Sequence, residues 1–286
     1  MKRYILTIVF LFSSFLFRQT IYTQDDVNIC RSKFEFAVEK NLSEKPFNEI
    51  IIEIGKSFIG TDYAAHTLEQ GDNEQLVVSL SGLDCYTFLE SCLVFARCIK
   101  MGKTSFEDFQ NELIKVRYRN GVLKEYPSRL HYFSDWIYDL NKRGIIKDIT
   151  YEIGAMPYKN EVNFMSTHPS AYQQLVTQPK FIDKMVLIEE MISMREYSYI
   201  PQENIKSMEK NINSGDIIGI TTNIEGLDIA HTGIAIRMDD GRIHLMHSPN
   251  VGKKVQITNE PLADYIKKNK TQTGIMVARS IDPLSQ

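Results

Sequence analysis

Residues Ser81–Cys92 read SGLDCYTFLESC. A short apolar–polar run, LVVSLSG, feeds into a single cysteine, and helical spacing follows at once. A thiol in the first turn of a helix has two readings. It is a small apolar residue that falls in the core, or a nucleophile placed where the helix dipole favours a thiolate. Its partners decide between them.

Upstream, SEKPFNEIIIEIGKSFIG reads as a helix with Ile51, Ile52, Ile54 and Phe58 inward, closed by Gly60. A polar loop, TDYAAHTLEQGDNEQ, leads to the Cys85 helix, which runs to about Lys100. TSFEDFQNELIKVRY is a second helix, with Thr104 and Glu107 as its capping box. The middle, RYRNGVLKEYPSRLHYFSDWIYDLNKRG, concentrates Arg, Tyr, His and the single Trp, with a helix from Ser134 to Leu140. Another helix spans Ile182 to Met194 and turns Met185, Ile188, Met191 and Ile192 to the core. The last third changes to strands: GDIIGITTN, HTGIAIRM, RIHLMHS, GKKVQIT and GIMVARSI, with a short helix LADYIKKN among them. Helices first and an antiparallel sheet afterwards give an α+β fold.

The 286 residues, 43% hydrophobic, suffice for one large domain. The net charge of −3 and the lack of a Lys/Arg run argue against nucleic acid as a partner. The N-terminus, MKRYILTIVFLFSSFLFRQTIYTQ, has a basic start and an apolar run from Tyr4 to Phe17. That run falls short of the roughly 18 residues of a membrane span. It is read as a secretory signal over residues 1–24, which makes 25–286 one exported domain with no lasting membrane span. Four cysteines in an exported chain invite a disulfide reading. Cys92 and Cys98, six apart on one helix, sit roughly 9 Å apart. A bridge needs less than about 7 Å, so both are core thiols. Cys30 stays open.

A nucleophilic cysteine needs a base, and the base an orienting group. Three of the six histidines flank one hairpin, so its register decides which cooperate. A three-residue loop, Asp239-Asp240-Gly241, suits a type I turn with a G1 bulge. Met238 then pairs with Arg242, Gly233 lies opposite His247, and His231 comes diagonal to His247 on one face. Gly233 leaves the space between the two rings open. A two-residue Asp240-Gly241 loop would put His244 on that face instead. Either way His244 and His247 face opposite sides, which argues against one zinc held by all three, and no HExxH stretch is present. No metal or cofactor is expected. The chemistry that follows is a Cys85 thiolate, its pKa lowered by the helix N-terminus and by His231. His231 acts as base, His247 orients it, and backbone N–H groups near Cys85 hold the oxyanion.

These same residues carry a resemblance. GLDCYTFLE, GDIIGITT and HTGIAI…DGRIHLMHS resemble the NlpC/p-sixty superfamily of cell-wall cysteine amidases. SRLHYFSDW, NFMSTHPSAY and GLDIAHTG are similar to its N-acetylmuramoyl-L-alanine amidase-like family. The resemblance implies a circularly permuted papain-like core, with the Cys helix packed on an antiparallel sheet that carries the His. It implies cleavage of the N-acetylmuramoyl-L-alanine amide in muropeptides with a 1,6-anhydro sugar end, in cell-wall turnover or recycling. Its Cys, His and third polar residue fall on Cys85, His231 and His247, and Tyr63 and Asp84 match substrate-side positions.

Arg129, His131 and Tyr132 are read as binding a peptide carboxylate or a sugar. Asp228, three before His231, joins them as the holder of that loop. His168 is open between site wall and structure, and His66 is left as surface. Two departures touch fine specificity: Tyr86 after the Cys and Pro249 in HSP. Peptidoglycan fragments are the expected partners of a monomeric, periplasmic enzyme. A γ-D-glutamyl-diamino acid endopeptidase, an inert wall-binding module and a zinc amidase are the alternatives.

Overall fold

The helix that begins at Cys85 is apolar almost all round, and such a helix has to be buried. The computed structural model, which describes residues 20–154 and 156–285, places it at the centre. It follows α1 (Gln24–Glu39) and α2 (Phe47–Ser57), runs as α3 (Cys85–Lys100), and precedes α4 (Phe106–Arg117) and α5 (Phe133–Lys142). Every residue of α3 from Thr87 to Ile99 is buried. The two charges among them take ion-pair partners from α4: Arg117 meets Glu90 at 2.8 Å and Arg97 meets Glu112 at 2.6 Å. Without those partners the burial of α3 would strand two charges.

The strands are β1 (Ile146–Asp148), β2 (Met156–Tyr158), β3 (Tyr197–Pro201), β4 (Ile217–Thr222), β5 (Ile229–Arg237), β6 (Ile243–His247), β7 (Gln256–Ile257) and β8 (Gln272–Ser280). Among the described residues they form one sheet in the order β2-β3-β8-β4-β5-β6-β7, with β1 also on β8. All of these pairings are antiparallel. The period of two divides the apolar side chains between two layers. Ile217, Ile234, Ile236, Met246 and Met276 join the core under α1–α5. Ile218, Ile220, Ala235, Leu245 and Val277 join a second core closed by Leu262, Ala263 and Ile266. A satellite cluster holds Tyr126, Tyr132, Phe181, Met185 and Ile192 beneath the helix at Lys180–Ser193.

The expected α+β order therefore holds, with local corrections. The cap of α4 is Ser105 rather than Thr104, because the Asp108 carboxylate accepts from both the Ser105 N–H and its hydroxyl. Met191 is exposed, while Met185 and Ile192 are buried. Gly60 sits at φ 89° just past α2, the left-handed conformation that suits glycine at a helix end. All four cysteines are free thiols. The first 19 residues of the expected signal segment lie outside the described residues. Ile21 already pairs with Val77, and Thr23 caps α1, so the fold takes in residues ahead of 25. No helix among the described residues is long and apolar enough to cross a membrane.

Candidate active site

The first turn of α3 is fixed by a capping box. The Asp84 carboxylate accepts from the Thr87 N–H at 2.7 Å, and the Thr87 hydroxyl accepts from the Asp84 N–H at 3.0 Å. The cap takes two of the orphan donors of a helix start. Those of Cys85 and Tyr86 remain, beside the thiol. Asp84 is thus a structural cap as well as a neighbour of the thiol.

The hairpin β5–β6 closes as the three-residue loop requires. Met238 N–H donates to Arg242 O at 3.1 Å, Gly241 N–H to Met238 O at 2.9 Å, and Gly241 takes φ 75°. Ile234 pairs with Met246 and Arg237 with Ile243, which sets Gly233 against His247. His231 Nε2 and His247 Nδ1 come to 2.7 Å with rings at 78°. A Cβ at Gly233 would lie 2.7 Å from Leu245 and 2.8 Å from the Met246 carbonyl, so no larger residue fits there without movement. His244 faces away: its ring meets the Thr258 carbonyl at 2.8 Å and Asp240 at 3.1 Å. Among the described residues no cluster of three or more His, Cys, Asp or Glu is arranged to hold a metal.

Cys85 is joined to this hairpin through Thr232, the residue after His231. The Thr232 hydroxyl donates to the Cys85 carbonyl at 3.1 Å. Its N–H and hydroxyl also act on the Cys85 sulfur and favour the thiolate. Burial outweighs them. It pushes the thiol up to about 12, and the Asp84 carboxylate adds to the rise. Burial also pulls His231 down to about 4 and His247 to about 3, with His231 adding to the latter. Burial thus opposes the expected resting thiolate, with Cys85 itself half-buried. Desolvation exceeds the pull of one helix end, which favours a neutral thiol and neutral imidazoles. His231 Nε2 is engaged by His247, which leaves Nδ1 as its other ring nitrogen.

A pocket of about 190 Å³ opens beside Asp84, lined by His66, Glu69, Tyr86, Arg129 and His131 among others. Arg129 is buried and meets Glu69 at 2.6 Å and Glu74 at 3.5 Å. Burial opposes its charge, but the two carboxylates raise its pKa further. His131 meets the Tyr126 carbonyl at 2.9 Å through Nε2, and burial beside Arg129 holds it neutral. Tyr86 donates to the Leu130 carbonyl at 2.9 Å and packs edge-on against Phe133 and Trp136. The tyrosine that departs from the expected small residue thus ties the thiol's helix to the pocket floor. Tyr63 N–H donates to Lys253 O at 2.7 Å, and burial together with Cys85 and Asp84 raises its phenol. It lies near the thiol.

Two of the expected binding residues are turned inward. Tyr132 is buried, donates to Glu189 at 2.7 Å and accepts from the Met165 N–H at 2.8 Å. The buried Asp228 carboxylate accepts from the N–H groups of Ser134 and Ile229, both at 2.7 Å. Their polar atoms are committed to the protein. His168 is outside the pocket, with its Nδ1 on the Phe164 carbonyl and the Thr167 hydroxyl. His66, read as surface, lines the pocket at φ 58°, a strained backbone for a non-glycine residue.

Four contributors escaped the sequence reading. Thr232 had a signal: it is the one hydroxyl in the row Thr232, Ile234, Ile236 that faces the helices. Ser248, whose hydroxyl donates to the Leu83 carbonyl at 2.6 Å, ties the end of β6 to the start of the Cys helix. Glu69 and Glu74 lie in a loop without periodicity and gave none.

A buried helix that opens at a thiol is thus tied through Thr232 to the strand that carries His231, and the His231–His247 pair lies on that antiparallel sheet. A sequence profile described as N-acetylmuramoyl-L-alanine amidase-like matches residues 53–275, and the chain belongs to that AmiA-like family. A crystal structure of an N-acetylmuramoyl-L-alanine amidase from Bacteroides uniformis is 36% identical at TM-score 0.78, covering 82% of this chain and 99% of that one. A Bacteroides fragilis chain with a provisional xylanase label is 37% identical at TM-score 0.74, covering 79% and 98%. A Legionella pneumophila protein shares the fold at 23% identity and TM-score 0.69, covering 90% and 95%. No curated protein matches. Family and neighbours together support an amidase function for the chain.

Proposed function

We propose that the chain is a cysteine amidase that hydrolyses the amide between N-acetylmuramic acid and L-alanine in soluble muropeptides, with a 1,6-anhydro sugar end. The observation that carries this reading is the 2.7 Å contact of His231 with His247, on the strand that Thr232 ties to Cys85. Its framework corresponds to a circularly permuted papain-like core. The N-terminal apolar run supports export to the periplasm, and the enzyme is read as a monomer.

Substrate entry desolvates the thiol further, so attack and proton transfer proceed together. The Cys85 S–H proton passes to His231 Nδ1 as the S–C bond forms to the lactyl carbonyl. The N–H groups of Cys85 and Tyr86 are the donors for the oxyanion. Collapse breaks the C–N bond, and His231 returns the proton to the leaving amine of L-alanine. Water, deprotonated by His231, then hydrolyses the thioester and restores the thiol. Tyr63, Asp84, Arg129 and His131 are the proposed pocket residues. Arg129 acts through Glu69, and Tyr132 and Asp228 act by holding the wall and the α5 start.

The provisional xylanase label of one neighbour finds less support, because glycoside hydrolysis needs two carboxyls flanking the bond, whereas Asp84 is engaged as a cap. The test is incubation of the protein with purified anhydro-muropeptide, with and without chelator, and product masses as readout. Free stem peptide plus anhydro-sugar acid, unaffected by chelator, is expected. Cleavage inside the stem would assign an endopeptidase, loss with chelator a metal amidase, and no cleavage a binding module.

A further inference from the structure

The line of histidines does not end at His247. A neutral imidazole carries one proton, and the nitrogen that lacks it accepts. For His231 to take the Cys85 proton at Nδ1, its own proton must sit on Nε2 and be donated across the 2.7 Å contact to His247 Nδ1. His247 must then hold its proton on Nε2. The other tautomer would set two N–H groups head to head. His247 has no exposed surface, and its Nε2 has no hydrogen-bond partner among the described residues. An unpartnered buried donor is costly, so something must favour it.

The group at hand is an aromatic ring. Tyr265 ends the short helix Leu262–Tyr265 that packs on β6. Its ring stands at 89° to that of His247, with centroids 5.3 Å apart. Its hydroxyl has no hydrogen bond among the described residues, although Cys85 lies near enough to raise the phenol, and what meets His247 is the ring. The face of an aromatic ring is negative and takes an N–H as a weak acceptor.

We propose that Tyr265 is a positioning residue: its ring face receives the His247 Nε2–H and so fixes the tautomer that lets His231 work as a base. The role rests on the cysteine-amidase reading, but the tautomer is measurable without it.

The experiment uses the full chain with ¹⁵N-labelled histidine, His247 being assigned by its loss in His247→Asn. Long-range ¹H–¹⁵N spectra of wild type and Tyr265→Phe should show His247 protonated on Nε2, its proton moved upfield by the ring. Tyr265→Leu should mix the tautomers. It should lower kcat about 10- to 100-fold, the range for groups that orient a ligating or catalytic histidine, with KM unchanged, while Tyr265→Phe keeps wild-type kcat. His247 protonated on Nδ1 in wild type would overturn the proposal. So would Tyr265→Phe falling as far as Tyr265→Leu, or Tyr265→Leu keeping both tautomer and kcat. If the wild type turns over no muropeptide, the functional reading fails, and the spectra still decide the tautomer.

Discussion

The two polar regions around the Cys85 helix are built in opposite ways. At the pocket wall, Arg129 is held by Glu69, Glu74 and the Leu68 carbonyl, and Tyr132 and Asp228 spend their polar atoms inside the protein. Among Cys85, His231 and His247 burial favours the neutral forms, and the His247 Nε2 is left over. Where the protein answers a polar group itself, that group holds shape. At His247 it does not, and that nitrogen is available for chemistry. Substitutions in the wall should therefore register as stability, and those at Cys85, His231 and His247 as rate.

The largest effect belongs to the base. His231→Ala should lower kcat on the order of 10⁴-fold, by analogy with single losses from other nucleophile–base units, with little change in melting temperature. A loss of fold in its place would merge the two regions. Next comes the wall. Arg129→Met leaves Glu69 and Glu74 facing each other with no cation, at a cost of about 3–5 kcal/mol in denaturant unfolding. Adding Glu74→Gln should recover part of it.

The pH dependence sharpens the contrast. Burial sets His231 at about 4 and His247 at about 3, against 6.5 for an ordinary histidine. The unfolded chain binds more protons in between. Their contribution to stability is full above about 6.5 and shrinks as pH falls below it. Raised carboxyls at Glu74, Glu90 and Asp228 pull the other way, losing their contribution as pH rises. The informative quantity is the difference between wild type and His247→Asn: the variant should lose less stability between pH 6.5 and 4. Activity should hold down to an acid limb near 4, where His231 is protonated. The smallest effect is that of the cap. Asp84→Ala should cost about 1 kcal/mol in thermal or denaturant unfolding, and, by removing a carboxylate that raises the thiol, should speed alkylation of Cys85.

Much of this was legible in the sequence because it obeys short-range rules. The Cys85 helix, the Asp239-Asp240-Gly241 loop and the His231–His247 pairing follow from capping, turn chemistry and a period of two. The wall was not legible, since Arg129 meets partners some sixty residues away in an aperiodic loop. Motif likeness placed Tyr132 and Asp228 near the site but could not tell which way their side chains turn. The opposition to the thiolate was missed for a related reason. The helix end is written in the sequence, but the desolvation that opposes it arises only when the start of α3 packs against β5 and the end of β6.

The most direct test of the central claim is to quench the protein during turnover of anhydro-muropeptide and read the mass and position of any adduct, with Cys85→Ala beside it. An acyl group of the muramoyl acid on Cys85, with turnover lost on the order of 10⁴-fold in Cys85→Ala, is the predicted result. Undiminished turnover by Cys85→Ala, with no adduct on the wild type, would contradict it.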